Sequence, residues 1–122
     1  MNLALWVAQG VLALVFLAAG LMKLSQPKAA LESRPGMGYV TERSALEMKL
    51  IGLAEVLGSF GLILPWWFQM RPFLTSIAAA ALAVLMIGAA QIHVRRKESA
   101  AFPAALAATA LFVAIGRSGL LA

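Results

Sequence analysis

The stretch that decides the fold is Ile51-Gly52-Leu53-Ala54-Glu55-Val56-Leu57-Gly58-Ser59-Phe60-Gly61-Leu62-Ile63-Leu64-Pro65. Twelve of its fifteen residues are aliphatic, aromatic or glycine, and they surround one carboxylate, that of Glu55. A carboxylate in the middle of a membrane span is costly, so it normally faces the interior of a helix bundle and has a partner there. The stretch therefore predicts a membrane helix and makes the role of Glu55 the central question.

The composition of the whole chain indicates the same class. Of its 122 residues, 62% are hydrophobic and only 12% are charged, and the mean hydropathy is +0.89. A soluble domain has about 25% charged residues. A soluble chain of this size could not bury so much apolar surface. The length predicts one domain.

Four apolar segments account for most of the chain, at about residues 2–22, 44–64, 72–93 and 102–121. About twenty residues in a helix cross roughly 30 Å of hydrocarbon. We predict an all-α, integral membrane four-helix bundle, in which residues 1–122 form a single transmembrane domain.

The connections contain further signals. Pro27 predicts the start of a short interfacial helix in the longer first loop, and Pro35-Gly36 predicts a turn. Ser44 and Glu47 have the spacing of a capping box that begins the second span. Pro65-Trp66-Trp67 predicts the end of that span, with the tryptophans at the membrane interface.

Cationic residues cluster at the ends of the apolar segments. The cationic residues of loops one and three are Lys23, Lys28, Arg34, Arg43, Arg95, Arg96 and Lys97, whereas the opposite side carries only Arg71 and Arg117. Because cationic loops stay in the cytoplasm, we expect loops one and three there and both termini outside. The net charge of +5 thus reflects orientation in a lipid bilayer, and we do not expect a nucleic-acid partner.

Polar residues in and beside the spans predict an intramembrane site. Lys49, Gly52, Glu55 and Ser59 recur at helical spacing and share one face of the second span. Glu55 lies about ten residues, hence roughly 15 Å, into that span. The ligand- or partner-binding residues that we predict are Glu55, His93, Lys23, Gln9, Lys49 and Ser59.

These residues also have structural interpretations. Gln9 lies at a depth similar to that of Glu55 and is a candidate partner for it, beside Lys49 and Lys23. Lys23 and Arg117 lie near the ends of spans, which favours a position where the charge reaches the membrane surface. His93 fits either an interfacial hydrogen bond or proton handling.

The sequence indicates no catalytic constellation and no metal site. It contains no cysteine, which excludes disulfides, thiol catalysis and cysteine-ligated iron–sulfur clusters in this chain. A catalytic zinc site needs three protein ligands, and the chain has one histidine. We therefore assign no catalytic residue and do not expect the chain to be an enzyme by itself.

Ala104 and Ala108 form a small-xxx-small pair, which predicts a homodimer contact.

Three pieces of the chain resemble the DoxX-like family of small four-span membrane proteins. The pieces are FLAAGLMKL at residues 16–24, the stretch at residues 51–65, and MIGAAQIH at residues 86–93. Gly20 and Lys23 match the end of the family's first helix, Glu55 the acid of its second, and His93 the end of its third.

The resemblance implies several functions. Some relatives are membrane subunits of thiosulfate–quinone or other quinone-coupled redox systems, and a eukaryotic branch contains an assembly chaperone of nicotinic receptors. Others handle thiol redox through cysteines, which this chain lacks. We expect the protein in a bacterial cytoplasmic (inner) membrane.

Two functional classes remain. In the first, the protein is a non-enzymatic accessory, assembly or scaffold factor for another membrane protein, with a polar site around Glu55. In the second, it is a membrane subunit of a redox complex that binds a quinone or similar lipid and uses Glu55 and His93 for proton transfer. A bracing alternative stands beside both, in which Glu55 only bonds Gln9, Lys49 or Lys23. The cofactor is left open, with a quinone as the candidate.

Overall fold

Over residues 2–34, 37–68 and 73–118, which the structure describes, the chain forms five α-helices and one 3-10 turn in a computed structural model. The α-helices are α1 (Asn2–Ser25), α2 (Lys28–Glu32), α3 (Ala45–Trp67), α4 (Phe73–Arg95) and α5 (Ala101–Gly116), and the 3-10 turn is Gly38–Glu42. The predicted all-α bundle is therefore confirmed. The turn at Pro35-Gly36 and the predicted span limits at residues 72 and 121 lie outside the described residues.

The four long helices pack side by side in antiparallel order. Helix α1 contacts α3, α3 contacts α4, α4 contacts α5, and α5 contacts α1. Gln9 lies beside Leu62 and Gly20 beside Gly52, which fixes the direction of α1 against α3. The apolar core between the helices includes Leu12, Phe16, Leu62, Leu82, Ala110 and Val113.

The outside of the bundle is apolar as well. Leu14 is 72% exposed and Val84 is 69% exposed, and many other large aliphatic and aromatic side chains are exposed on α1, α3, α4 and α5. Helices α1, α3 and α4 are long and apolar enough to cross a membrane, and α5 is a shorter apolar helix of 16 residues. An apolar exterior of this extent is typical of lipid contact. The chain is therefore a multi-pass membrane bundle.

Helices α1 and α3 cross at two glycines. A Cβ on Gly20 would lie 2.6 Å from the carbonyl oxygen of Gly52, and a Cβ on Gly52 would lie 2.9 Å from the carbonyl oxygen of Gly20. No side chain fits at this crossing unless a helix moves, so the small residues set the distance between the helices. A Cβ on Gly52 would also lie 2.9 Å from the Cβ of Lys23, so the crossing holds Lys23 against α3.

Two helix ends differ from the predictions. Helix α3 continues through Pro65 to Trp67, because a proline in the last turn removes only one helical hydrogen bond. Helix α5 ends at Gly116, several residues before the predicted end of the fourth span. Arg117 follows as its C-cap, and the Arg117 N–H donates to carbonyl oxygens of the last turn.

The first connection folds over one end of the bundle, where α1 and α4 finish and α3 and α5 begin. We call this the basic end. The described part of the connection has a small apolar core of its own, formed by Leu31, Val40 and Met48. Helix α2 is the short helix predicted after Pro27. The Glu47 N–H donates to Ser44 Oγ at 3.0 Å, and the Ser44 N–H donates to Glu47 Oε1 at 3.4 Å, which confirms the capping box.

Candidate functional site

The centre of the site is a buried ion pair. Lys23 Nζ lies 2.7 Å from Glu55 Oε1, and the two side chains are 8% and 2% exposed. The prediction that Lys23 extends to the membrane surface is therefore wrong, because the crossing of α1 over Gly52 turns its side chain toward α3. Of the three partners considered for Glu55, Lys23 is the one that donates a hydrogen bond to it in the structure.

Lys49 holds the backbone that carries Lys23. Its ammonium donates hydrogen bonds to the carbonyl oxygens of Lys23, Leu24 and Gln26, at 3.1, 2.8 and 3.0 Å. The last carbonyls of a helix lack helical N–H partners, and a cation at this end also interacts favourably with the helix dipole. Lys49 therefore bonds the end of α1 and not Glu55, which corrects one of the considered pairings.

Tyr39 and Arg43 come to the site from the first connection. The ring of Tyr39 meets the ring of His93 edge to face, with 5.8 Å between the ring centroids. Burial raises the pKa of the Tyr39 hydroxyl, the nearby Glu55 carboxylate raises it further, and the Arg43 guanidinium opposes both effects. A raised pKa keeps this hydroxyl protonated at neutral pH, so it remains a hydrogen-bond donor.

His93 is held by the way α4 ends. The Glu98 N–H donates to the His93 carbonyl oxygen at 2.8 Å and the Lys97 N–H donates to the Val94 carbonyl oxygen at 3.0 Å. Lys97 has a φ of 59°, in the left-handed region. This is a Schellman motif, which reverses the chain after the last helical turn. The reversal places Glu98 Oε1 3.0 Å from His93 Nδ1, so the carboxylate orients the imidazole.

Two adjoining cavities meet at these side chains. The first, about 270 Å³, lies between α3 and α4, and we call it the α3/α4 cavity. The second, about 400 Å³, lies between α1 and α5, and we call it the α1/α5 cavity. The residues that line both are Lys23, Tyr39, Glu55, Met86, Ala89 and His93. The ion pair therefore forms part of the lining of two mainly apolar spaces inside the bundle.

The shared polar side chains have hydrogen-bonding capacity that the protein does not use. Lys23 Nζ carries three N–H groups and has one bond, to Glu55 Oε1. Across the described part of the chain, Glu55 Oε2, His93 Nε2 and the Tyr39 hydroxyl have no protein hydrogen-bond partner. The site thus offers both donors and acceptors beside apolar walls.

Gln9 and Ser59 do not join this group. Gln9 is fully buried, and its Nε2 donates to the Leu62 carbonyl oxygen at 2.6 Å while its Oε1 accepts from Arg117. The predicted contact between Gln9 and Glu55 is therefore wrong. Ser59 is buried on the predicted face of α3, but its hydroxyl donates to the Val56 carbonyl oxygen of its own helix at 2.7 Å.

Gln9 belongs to a second buried polar cluster, at the opposite end of the bundle. Arg117 is 5% exposed, and its guanidinium donates to Gln9 Oε1 at 2.7 Å and to Asn2 Oδ1 at 2.8 Å. It also lies over the ring of Trp6, 5.4 Å from the ring centroid. The prediction that Arg117 extends to the membrane surface is wrong, because α5 ends early and the chain turns this side chain inward.

Three residues at the basic end were missed by sequence reasoning: Tyr39, Arg43 and Glu98. Tyr39 is the only tyrosine in the chain, and an amphipathic ring in a short loop beside a membrane is a usable signal. Arg43 and Glu98 offered none, because their positions follow from the folding of the connection and from the Schellman motif. The Schellman motif has Lys97 and not a glycine at its left-handed position, so the sequence does not indicate it.

The chain is similar to one family of known proteins. The sequence profile of the DoxX-like family matches residues 7–115. The chain belongs to the DoxX-like family. No curated protein and no solved structure matches it. The part that matches the DoxX-like profile contains every residue that lines the two cavities, whereas Asn2 and Arg117 of the second cluster lie outside it.

Proposed function

We propose that this DoxX-like protein binds a small amphipathic molecule within the membrane, with the polar head of the molecule at the Lys23–Glu55 pair. The observation that supports this most is the unused hydrogen-bonding capacity of Lys23, Glu55, Tyr39 and His93, all of which line both cavities. Ligand sites are typically apolar cavities of about 300–1,000 Å³ with a few convergent polar groups. The α1/α5 cavity, at about 400 Å³, is of this size.

A quinone is the ligand class that fits these groups best. A quinone ring is flat and apolar and has two carbonyl oxygens that accept hydrogen bonds. The ammonium of Lys23 and the hydroxyl of Tyr39 are donors for those oxygens, and Glu55 Oε2 is an acceptor for the hydroxyl that forms when the ring is reduced. The proposal also predicts that Glu55 and His93 transfer protons to the bound quinone while a redox partner supplies the electrons.

The experiment is a binding measurement with a quinone that has no tail. We would incorporate the protein into nanodiscs and measure its affinity for tetramethyl-p-benzoquinone by equilibrium dialysis. The key variant is Gly88→Val. Gly88 lines the α3/α4 cavity, and a Cβ built on it meets no atom within 4 Å. The larger side chain should enter the cavity without distorting the fold and weaken binding by about tenfold or more.

The chain offers a matched control for this variant. Gly10 is also a partly buried helical glycine, and a Cβ built on it likewise meets no atom within 4 Å, but it lines neither cavity. Gly10→Val should therefore bind the ring as the parent does. Equal binding by parent and Gly88→Val would refute the assignment of the site, and no saturable binding by the parent would refute the quinone.

An accessory role for another membrane protein is the second candidate, and an external groove supports it. The groove lies between α4 and α5, and Ala104 and Ala108 form part of its lining. Both alanines are exposed, so a helix of a partner or of a second copy has access to them. Co-purification of a specific membrane protein that Ala108→Leu abolishes would support this role, whereas an unchanged yield of partner would contradict it.

We also propose that the basic end faces the cytoplasm of a bacterial cell, with both termini outside. The proposal rests on the excess of Lys and Arg in loops one and three. A single cysteine at Lys28 should resist a membrane-impermeant thiol reagent in intact cells. A cysteine at Gln69, which is outside the described residues, should react. The reverse pattern of labelling would invert the orientation.

A further inference from the structure

We infer that the ligand is a single-tailed amphiphile whose tail lies in the α1/α5 cavity and leaves the bundle between these two helices. The inference rests on the proposed function, because it assumes that a polar head binds at Lys23 and Glu55. It goes further by assigning separate roles to the two cavities. The assignment follows from how each is lined and how large each is.

The lining differs between the two cavities beyond their shared residues. The α3/α4 cavity adds six residues, one of which is the cation Arg43. The α1/α5 cavity adds nine residues, and all but Ser99 are apolar: Val15, Phe16, Ala19, Met22, Met37, Phe102, Pro103 and Leu106. A head group that accepts hydrogen bonds is therefore better placed beside Arg43 and Lys23, and a hydrocarbon chain beside the apolar set.

The volumes agree with this division. The α3/α4 cavity is about 270 Å³ and the α1/α5 cavity about 400 Å³. A flexible tail fills more space than a compact head, so the larger cavity suits the tail. Both cavities share the Lys23–Glu55 pair in their lining, so a head group bound at the pair lies next to both cavities.

The α1/α5 cavity also reaches the lipid-facing surface. Phe102 lines it and is 66% exposed, while Leu106 and Phe16 line it and are buried. The lining therefore runs from the bundle interior to the outside along α5. Phe102 lies in the first turn of α5, so a tail that leaves along this path meets the lipid near the basic end. The ligand would thus enter sideways from the bilayer, with no need to pass through water.

The test compares two ligands with the same head. One is tetramethyl-p-benzoquinone, and the other is the trimethyl ring with a decyl chain in place of the fourth methyl. The key variant is Ala19→Leu, which places a larger side chain in the α1/α5 cavity. Its matched control is Ala18→Leu, at the neighbouring position of α1, which is exposed and lines neither cavity.

We expect Ala19→Leu to weaken binding of the decyl ligand about tenfold and to leave binding of the tailless ring unchanged, because only the tail meets the new side chain. Gly88→Val should weaken the binding of both ligands, and Ala18→Leu should change the binding of neither. If Ala19→Leu weakens both ligands equally, the head lies in the α1/α5 cavity and the assignment is wrong. If the parent binds neither ligand, the proposed function itself fails.

A second measurement does not depend on variants. A diazirine at the end of the decyl chain would be photoactivated on the parent protein in nanodiscs, and the attachment sites would be mapped by mass spectrometry. Attachment at Val15, Phe16, Ala19, Phe102, Pro103 or Leu106, which line only the α1/α5 cavity, supports the assignment. Attachment at Val84, Leu85, Gly88 or Ile92 of α4, which line only the α3/α4 cavity, would place the tail there and overturn the assignment. In detergent micelles, a two-tailed phospholipid that displaces the decyl ligand at equal concentration would overturn the single-tail part of the inference.

Discussion

Replacing one residue of the Lys23–Glu55 pair and replacing both residues should have opposite effects on stability. The charged atoms are 2.7 Å apart and the side chains are 8% and 2% exposed, so each charge depends on the other. Glu55→Leu leaves the Lys23 ammonium buried without a counter-charge, and Lys23→Met leaves the carboxylate in the same condition. Breaking a buried pair from one side costs roughly 3–5 kcal/mol.

The double variant Lys23→Met with Glu55→Leu should be more stable than either single variant. Replacing a buried pair by apolar side chains of similar volume is often neutral, or stabilising by about 1–4 kcal/mol. The assay is reversible unfolding in mixed detergent micelles, read as the free energy of unfolding of the parent, the two single variants and the double variant. A double variant whose loss equals the sum of the two single losses would refute the reasoning.

A surface ion pair in the same chain provides the control. Lys28 Nζ and Glu32 Oε1 are 3.2 Å apart, and these side chains are about one third exposed. Replacing both with alanine should change the free energy of unfolding by less than about 1 kcal/mol, because exposed pairs contribute little. This control shows whether the assay responds to burial of the charges or merely to their removal.

The same double variant separates bracing from binding. For a Glu55 that braces the bundle by hydrogen bonding alone, Glu55→Gln would be nearly silent, because an amide keeps the shape and the hydrogen bonding. The pairing with Lys23 removes that expectation, because an amide leaves the ammonium without a counter-charge and destabilises the fold under either interpretation. The double variant instead restores stability. If it also binds tetramethyl-p-benzoquinone as the parent does, the pair is a brace and the proposed site is wrong.

Three further changes have expected outcomes. Gly20→Ala should destabilise the bundle by about 1–3 kcal/mol in the same unfolding assay, because its Cβ would lie 2.6 Å from a carbonyl oxygen of α3. Gly10→Ala should not destabilise the bundle, because its Cβ meets no atom within 4 Å. Equal effects of the two substitutions would contradict the close crossing of α1 and α3. Lys97→Gly should stabilise by up to about 1 kcal/mol, since Lys97 has a φ of 59°; a loss of stability would contradict the left-handed cap. Ala108→Leu should reduce cross-linked dimer in membranes, and cross-linking that finds only monomer in the parent would reject the homodimer.

The fold was largely predictable because membrane helices follow from local composition. The apolar segments, the capping box at Ser44 and the short helix after Pro27 are each specified by residues close in sequence. The errors lie at the helix ends. Pro65 was expected to end α3, but a proline in a last turn is tolerated, and α3 reaches Trp67.

The partners of the buried polar groups were less predictable. Glu55 could be identified because a carboxylate within an apolar stretch needs a partner. The identity of that partner depends on the crossing of two helices at Gly20 and Gly52, which no local pattern encodes. Lys23 and Arg117 were both expected at the membrane surface, since a cation near the end of a span usually extends there. Both are buried, because tertiary contacts turn them inward.

The two buried polar clusters of this protein provide an internal comparison. At the end opposite the basic end, both functional atoms of Gln9 are bonded, to the Leu62 carbonyl oxygen and to Arg117, and neither residue lines the two cavities. That cluster connects α1, α3 and the end of α5, so its polar groups bond protein and brace the bundle. At the basic end, the Lys23–Glu55 pair also connects two helices, α1 and α3. A single hydrogen bond makes this connection.

A brace requires that buried polar atoms bond other protein atoms, since each atom left without a partner costs stability. By that criterion the cluster around Gln9 is built as a brace. The group at the basic end is built differently, because its pair and the side chains of Tyr39 and His93 line two cavities that meet there. Bracing accounts for the bond between Lys23 and Glu55 and leaves their remaining hydrogen-bonding capacity without a role. A polar head group drawn from the membrane gives that capacity a role.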